Sequence, residues 1–129
     1  MPVRQNWPYP LGADRIELFL HVTDRMGNRK RVRMLVDTGF AQYCVFTAGS
    51  VVSTNHGRAK SIITQYGQAR GYAMLLELPQ IRYSQMATCY TNQTVEDILT
   101  NEGFDGLLGL EFLRNFTYGG DSAGFFLEK

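Results

Sequence analysis

Between Arg15 and Val36 the chain alternates apolar and polar residues on both sides of a short turn. Ile16, Leu18, Leu20 and Val22 fall on one face, with Glu17, Phe19 and His21 opposite. Asp24-Arg-Met-Gly-Asn28 supplies turn chemistry, after which Val32, Met34 and Val36 alternate with Arg31, Arg33 and Leu35. A period of two puts one apolar row on one face of an extended strand and does not fit the 3.6-residue repeat of a helix. The segment therefore reads as a β-hairpin.

The rest of the chain continues in that manner. Tyr43 to Thr47 forms a short apolar strand. Residues 49–60 are polar and loop-like, with Gly57 as a turn. Ser61 to Tyr66 and Gly71 to Leu78 suggest a second hairpin with Gly67-Gln-Ala-Arg70 at its tip, and Ile81 to Thr91 continues as a strand after Pro79. Thr94, with Asp97 three residues on, reads as the N-cap of a short helix that Gly103 stops. A Gly119-Gly-Asp turn leads to a last apolar strand around Phe125-Phe-Leu127. Many short strands with turn signals between them, and one or two short helices, predict an all-β, small closed barrel-like domain over residues 15–129. Residues 1–14, with three of the four prolines, read as an extended N-terminal arm.

Composition narrows the function classes. The 129 residues favour one domain, and 44% of them are hydrophobic, enough for a core. A formal charge of +1 gives no field for a polyanion. The basic cluster Arg25, Arg29, Lys30, Arg31 and Arg33 reads as a solvated hairpin face rather than a nucleic-acid ribbon, so no nucleic-acid partner is expected. No apolar run approaches the ~18 residues of a membrane span, and no membrane segment is expected. The first residues lack the apolar stretch of a secretion signal, which gives a cytoplasmic expectation. Cys44 and Cys89, without a C-x-x-C pattern, read as buried reduced thiols, with a bridge or a reactive thiol as the alternative. With His21 and His56 isolated, no ligand spacing supports a metal site, and no cofactor is expected. Asn92-Gln-Thr94 and Asn115-Phe-Thr117 match the glycosylation acceptor and are taken as accidental.

The chemistry-bearing stretch is Met34-Leu-Val-Asp37-Thr38-Gly39. An apolar strand ends there in a carboxylate, whose ionised form needs hydrogen-bond donors around it. Gly39 admits close backbone approach, and Thr38 offers a hydroxyl. About seventy residues downstream comes Asp105-Gly-Leu107-Leu108-Gly109-Leu-Glu-Phe-Leu113. In this order and spacing the two motifs resemble the retropepsin-like aspartic proteases, over roughly residues 15 to 129.

The resemblance implies the retropepsin fold and an aspartic endopeptidase that works as a homodimer on an extended polypeptide substrate. It implies Asp37, Thr38 and Gly39 as the catalytic loop, with Thr38 of each protomer bonding across the two-fold axis. Leu107, Leu108 and Gly109 would cross behind that loop. Residues 61–78 would form a flap, with Tyr66 and Gly67 near its tip. The terminal strands would knit the dimer together. Phe40 and Ala41 would line the substrate floor, where relatives carry a small residue at the first position and often a polar or acidic one at the second. A phenyl ring at position 40 would narrow the cleft, so the alternative is a catalytically silent dimer of the same fold that binds a peptide or partner protein.

Overall fold

The computed structural model describes residues 2–10, 15–51, 56–57, 60–64 and 67–129. Its strands, in chain order, are β1 (Arg4–Pro8), β2 (Glu17–Thr23), β3 (Arg29–Val36), β4 (Cys44–Phe46), β5 (Lys60–Thr64), β6 (Gly67–Leu78), β7 (Tyr83–Thr91), β8 (Gly106–Leu108), β9 (Thr117–Gly120) and β10 (Gly124–Glu128). The helices are α1 (Ala48–Val51), α2 (Gln93–Asn101) and α3 (Leu110–Leu113), with a 3-10 turn at Pro79–Ile81. The fold is thus mostly β, with three short α-helices among the described residues where one or two were expected. None is long and apolar enough to cross a membrane.

The expected first hairpin is present in register, with Leu18 opposite Met34 and Leu20 opposite Val32. Asp24 closes it by accepting from the amides of Met26 and Asn28, both at 2.9 Å. The main sheet runs β2-β3-β8-β4-β7-β6-β5, and a further pairing of β2 with β6 closes six of these strands into a barrel. Leu18, Leu20, Val22, Val32 and Met34 point into it, joined by Met74, Leu76, Leu108 and Phe112. That is the face the alternation identified.

The short apolar strands β4 and β8 behave differently because both of their faces are covered. Cys44, Phe46 and Leu108 belong to the barrel core. Val45 and Leu107 turn the other way, into a second cluster with Phe40, Val95, Leu99 and Phe104. Continuous apolar runs suit such doubly buried strands. Helix α2 covers this second cluster. Its N-cap is Asn92, two residues before the expected Thr94, because the Asn92 side chain accepts from the amides of Thr94 and Val95. The stop at Gly103 holds. Gly103 has φ +77, and the amides of Gly103 and Phe104 return to the carbonyls of Thr100 and Leu99, a Schellman closure packed by Leu99 and Phe104.

Three further expectations are corrected. The terminal strands, expected to knit two protomers together, pair within the chain: β1 runs antiparallel to β10, and β10 to β9. The termini are therefore knitted together within one chain. In the second hairpin Thr64 pairs with Gly67 and β6 runs unbroken to Leu78, so residues 67–70 are strand rather than tip. Within β6 the missing side chain of Gly71 makes room for Thr88 and Tyr90 on β7. Finally, Cys44 and Cys89 are joined in a disulfide rather than reduced. They face each other across the parallel pair β4–β7, a proximity that only the barrel's strand order creates.

Candidate active site

The catalytic-loop candidate sits where β3 leaves the barrel. Residues Met34 to Val36 pair in parallel with Gly106 to Leu108, and the Asp37 amide extends that ladder by donating to the Leu108 carbonyl at 2.9 Å. The chain then turns. Asp37 Oδ1 accepts from the Gly39 amide at 2.8 Å, and the Asp37 carbonyl accepts from the Phe40 amide at 3.2 Å. This is the local geometry that makes Asp a turn former. Asp37 is half-buried, while Thr38, Gly39 and Ala41 are exposed.

The segment after β8 then runs alongside the loop. The Gly109 amide donates to Tyr43 at 2.9 Å, Leu110 to Phe40 at 2.7 Å and Glu111 to Gln42 at 3.3 Å, each at the carbonyl. This contact demands glycine at 109. A Cβ there would stand 2.1 Å from the Gln42 oxygen and 2.6 Å from the Phe40 oxygen. Leu107, Leu108 and Gly109 thus lie directly against residues 37–43. Gly106 is equally tight, with a Cβ meeting the Val45 oxygen at 2.5 Å.

Phe40 corrects the sequence reading. Its side chain is fully buried in the second cluster, among Val45, Val95, Leu99, Phe104 and Leu107. It does not line an open floor, because the space beside Gly109 and under α2 draws the ring inward. Ala41 is exposed. Gly67 is exposed at the start of β6 with φ +99; Tyr66 lies outside the described residues. A cavity of about 690 Å³ opens between the β5–β6 hairpin and the start of α2, lined in part by Lys60, Ser61, Gln68, Arg70, Asn92 and Glu96. Residues 37–41 do not contribute to it.

Several supports were not legible beforehand. Arg33 is no solvated hairpin residue. Its guanidinium binds Glu17 through Nε at 2.6 Å, donates to the Glu102 carbonyl at 3.0 Å and stacks 4.2 Å from the Phe104 ring centroid. Its amide donates to Asp105 Oδ2 at 2.8 Å, so the Asp before Leu107-Leu108-Gly109 serves to bind β8 to β3. Arg31 stacks on Phe19 and Arg29 pairs with Glu77 at 3.4 Å. Behind the loop, the Tyr43 and Tyr83 hydroxyls meet in a hydrogen bond, packed edge-on against Phe112. Burial pushes both phenols above their ordinary range, Tyr83 furthest. The amides of the two glycosylation matches are engaged: Asn92 caps α2, and Asn115 donates to the Phe112 carbonyl at 2.9 Å. Among the described residues no group of three or more His, Cys, Asp or Glu side chains could hold a metal ion. No protein-family model matches the chain, and no curated protein matches it either.

Proposed function

We propose that the chain is an aspartic endopeptidase of retropepsin type that works as a two-fold dimer. One observation carries the reading. The two motifs behind the resemblance lie side by side: the Asp37 amide donates to the Leu108 carbonyl, and Gly109 and Leu110 donate to the carbonyls of Tyr43 and Phe40 just after the Asp37-Thr38-Gly39 triplet, with the half-buried Asp37 beside exposed Thr38 and Gly39. Each protomer brings one such carboxylate. Two copies of Asp37 at the axis would share a proton, since like charges that close cannot both ionise. The ionised copy takes a proton from water, and the protonated copy polarises the scissile carbonyl.

The two-fold contact falls to the exposed Thr38, Gly39 and Ala41, because β1 and β10 are already paired within one chain. An extended peptide would bind largely through its main chain. With Phe40 turned into the core, its ring is no obstacle to such a substrate, which removes one of the grounds for a silent binder.

The test is cleavage of an unfolded protein substrate between about pH 3 and 7, with sedimentation run in parallel. Wild type should cleave as a dimer. Asp37→Asn should dimerise without cleaving, as it keeps size and hydrogen-bonding capacity. Undiminished cleavage by Asp37→Asn, or a protein that stays monomeric at all concentrations, would refute the proposal.

A further inference from the structure

The face of the β2–β3 hairpin opposite the core carries Arg29, Arg31 and Arg33 in alternation. The outer two are matched, Arg29 with Glu77 and Arg33 with Glu17. Arg31 forms no ion pair among the described residues, and its guanidinium is held 3.8 Å from the Phe19 ring centroid. His21 stands opposite Arg31 across the hairpin. The carboxylate in register with His21 on β6 is Glu77, already engaged by Arg29 and by the Thr23 hydroxyl. The nearby acids are thus occupied, and Arg31 keeps its charge uncompensated.

Arg31 and His21 line a crevice of about 240 Å³ between the hairpin, β1 and the 3-10 turn, together with Gln5, Asn6, Phe19 and Gln80. Its walls are chiefly polar, and no Asp or Glu is among its described lining residues. The side chains of Gln5, Asn6, His21 and Gln80 make no hydrogen bond among the described residues. Gln5 is the telling member, because its Oε1 is buried and has no partner. A buried acceptor without a donor is costly, and one beside a crevice calls for a donor from outside the chain.

A fixed guanidinium, an imidazole and carboxamide N–H groups around one small space recognise a carboxylate. The Gln5 oxygen adds a demand for a hydrogen-bond donor next to that carboxylate. A hydroxyl meets it better than an ammonium, which the Arg31 charge repels. We propose that this crevice binds a small α-hydroxy carboxylate, its carboxylate on Arg31 and its hydroxyl donating to Gln5. None of Asp37, Thr38 and Gly39 lines the crevice, so the proposal stands independently of the peptidase chemistry.

The experiment is an NMR titration of the full chain with sodium lactate, beside propionate, lactamide and sulfate at matched ionic strength. Saturable shifts at Gln5, His21 and Arg31 are expected at about 1–20 mM lactate. Propionate, which lacks the donor, should bind about threefold or more weakly, and the uncharged lactamide about fivefold or more. Gln5→Met keeps the length of the side chain and removes the acceptor; it should bring lactate down to the affinity of propionate and leave propionate unchanged. Arg31→Gln should weaken both acids by about fivefold or more. Spectral dispersion checks the fold of each variant, and the wild-type preference for lactate over propionate decides the matter even where a variant fails to fold. No saturation by about 200 mM lactate, propionate or lactamide binding as tightly as lactate, or a lactate preference that survives in folded Gln5→Met would each overturn the proposal. So would an equal response to sulfate, which would mark a bare cationic surface.

Discussion

Replacing Gly109 by alanine adds one methyl group at the most crowded point behind the Asp37 loop. That methyl would stand 2.1 Å from the Gln42 carbonyl oxygen, 2.5 Å from Phe40 Cδ2 and 2.6 Å from the Phe40 carbonyl oxygen. Two of the three obstacles are backbone atoms, so no rotamer change relieves them. Overpacking of this kind costs about 1–3 kcal/mol. The same carbonyls accept the Leu110 and Glu111 amides, and parting them forfeits about 1 kcal/mol for each hydrogen bond. The sum is about 3–5 kcal/mol. At a urea m-value of about 1.5 kcal/mol/M, the unfolding midpoint should fall by roughly 2–3 M. Gly49→Ala is the matched control. Gly49 lies in α1, and a Cβ there meets nothing within 4 Å. That change should leave stability level or raise it by up to about 1 kcal/mol. Urea titrations followed by circular dichroism at one protein concentration compare the two. If Gly109→Ala unfolds within about 1 kcal/mol of wild type, the close packing of residues 109–111 against the loop is wrong, and the basis for joining the two motifs goes with it.

Other consequences concern the core and its links. Phe40→Ala should destabilise by about 3–5 kcal/mol through a cavity in the second cluster; a variant of normal stability with altered peptide selection would return Phe40 to the substrate floor. Reducing the Cys44–Cys89 bridge, whose partners are 45 positions apart, should lower unfolding free energy by about 4 kcal/mol on a chain-entropy account. Urea midpoints that coincide with and without reductant would contradict it. Tyr83 supplies a pH dependence. Its folded pKa is raised by burial and by Tyr43 above the ordinary 10.0, so the folded state holds the proton more tightly. Stability from this group is then level below about pH 9 and declines as pH climbs past 10. Tyr83→Phe should flatten that alkaline decline in pH-dependent unfolding, and an unaltered profile would count against the assignment.

What could be read in advance follows from the range of the interactions involved. The β2–β3 hairpin was legible because register and turn are local: alternation marks the buried face of Leu18, Leu20 and Met34, and Asp24 closes the loop. The Gly103 stop was legible for the same reason. The disulfide was not, because Cys44 and Cys89 meet only once β4 is inserted between β8 and β7. Phe40 was misplaced because its direction depends on two distant features, the missing side chain of Gly109 and the apolar face of α2 formed by Val95 and Leu99. Arg33 looked like one more hairpin charge; nothing near it in sequence announces Glu17, Phe104 or Asp105 as partners. At the site, the loop and its crossing strand were readable as motifs, whereas the side-chain directions around them belong to the barrel and its second core.

The economy of the Asp37 loop sets a strict condition on the proposed chemistry. A single carboxylate cannot in one step remove a proton from water and donate a hydrogen bond to the carbonyl under attack, since the first role needs it ionised and the second protonated. The chain carries the Asp-Thr-Gly triplet once. On the proposed dimer the second carboxylate arrives by association, which makes dimerisation a reactant in the catalytic step. Cleavage per protomer should consequently fall on dilution, approaching first-order dependence on protein concentration once the protein is mostly monomeric. Initial rates across a dilution series, read beside sedimentation at the same concentrations, measure this directly. A specific activity that stays constant while the protein passes from dimer to monomer would mean that one loop suffices, and would refute the two-carboxylate mechanism even if Asp37 proved indispensable.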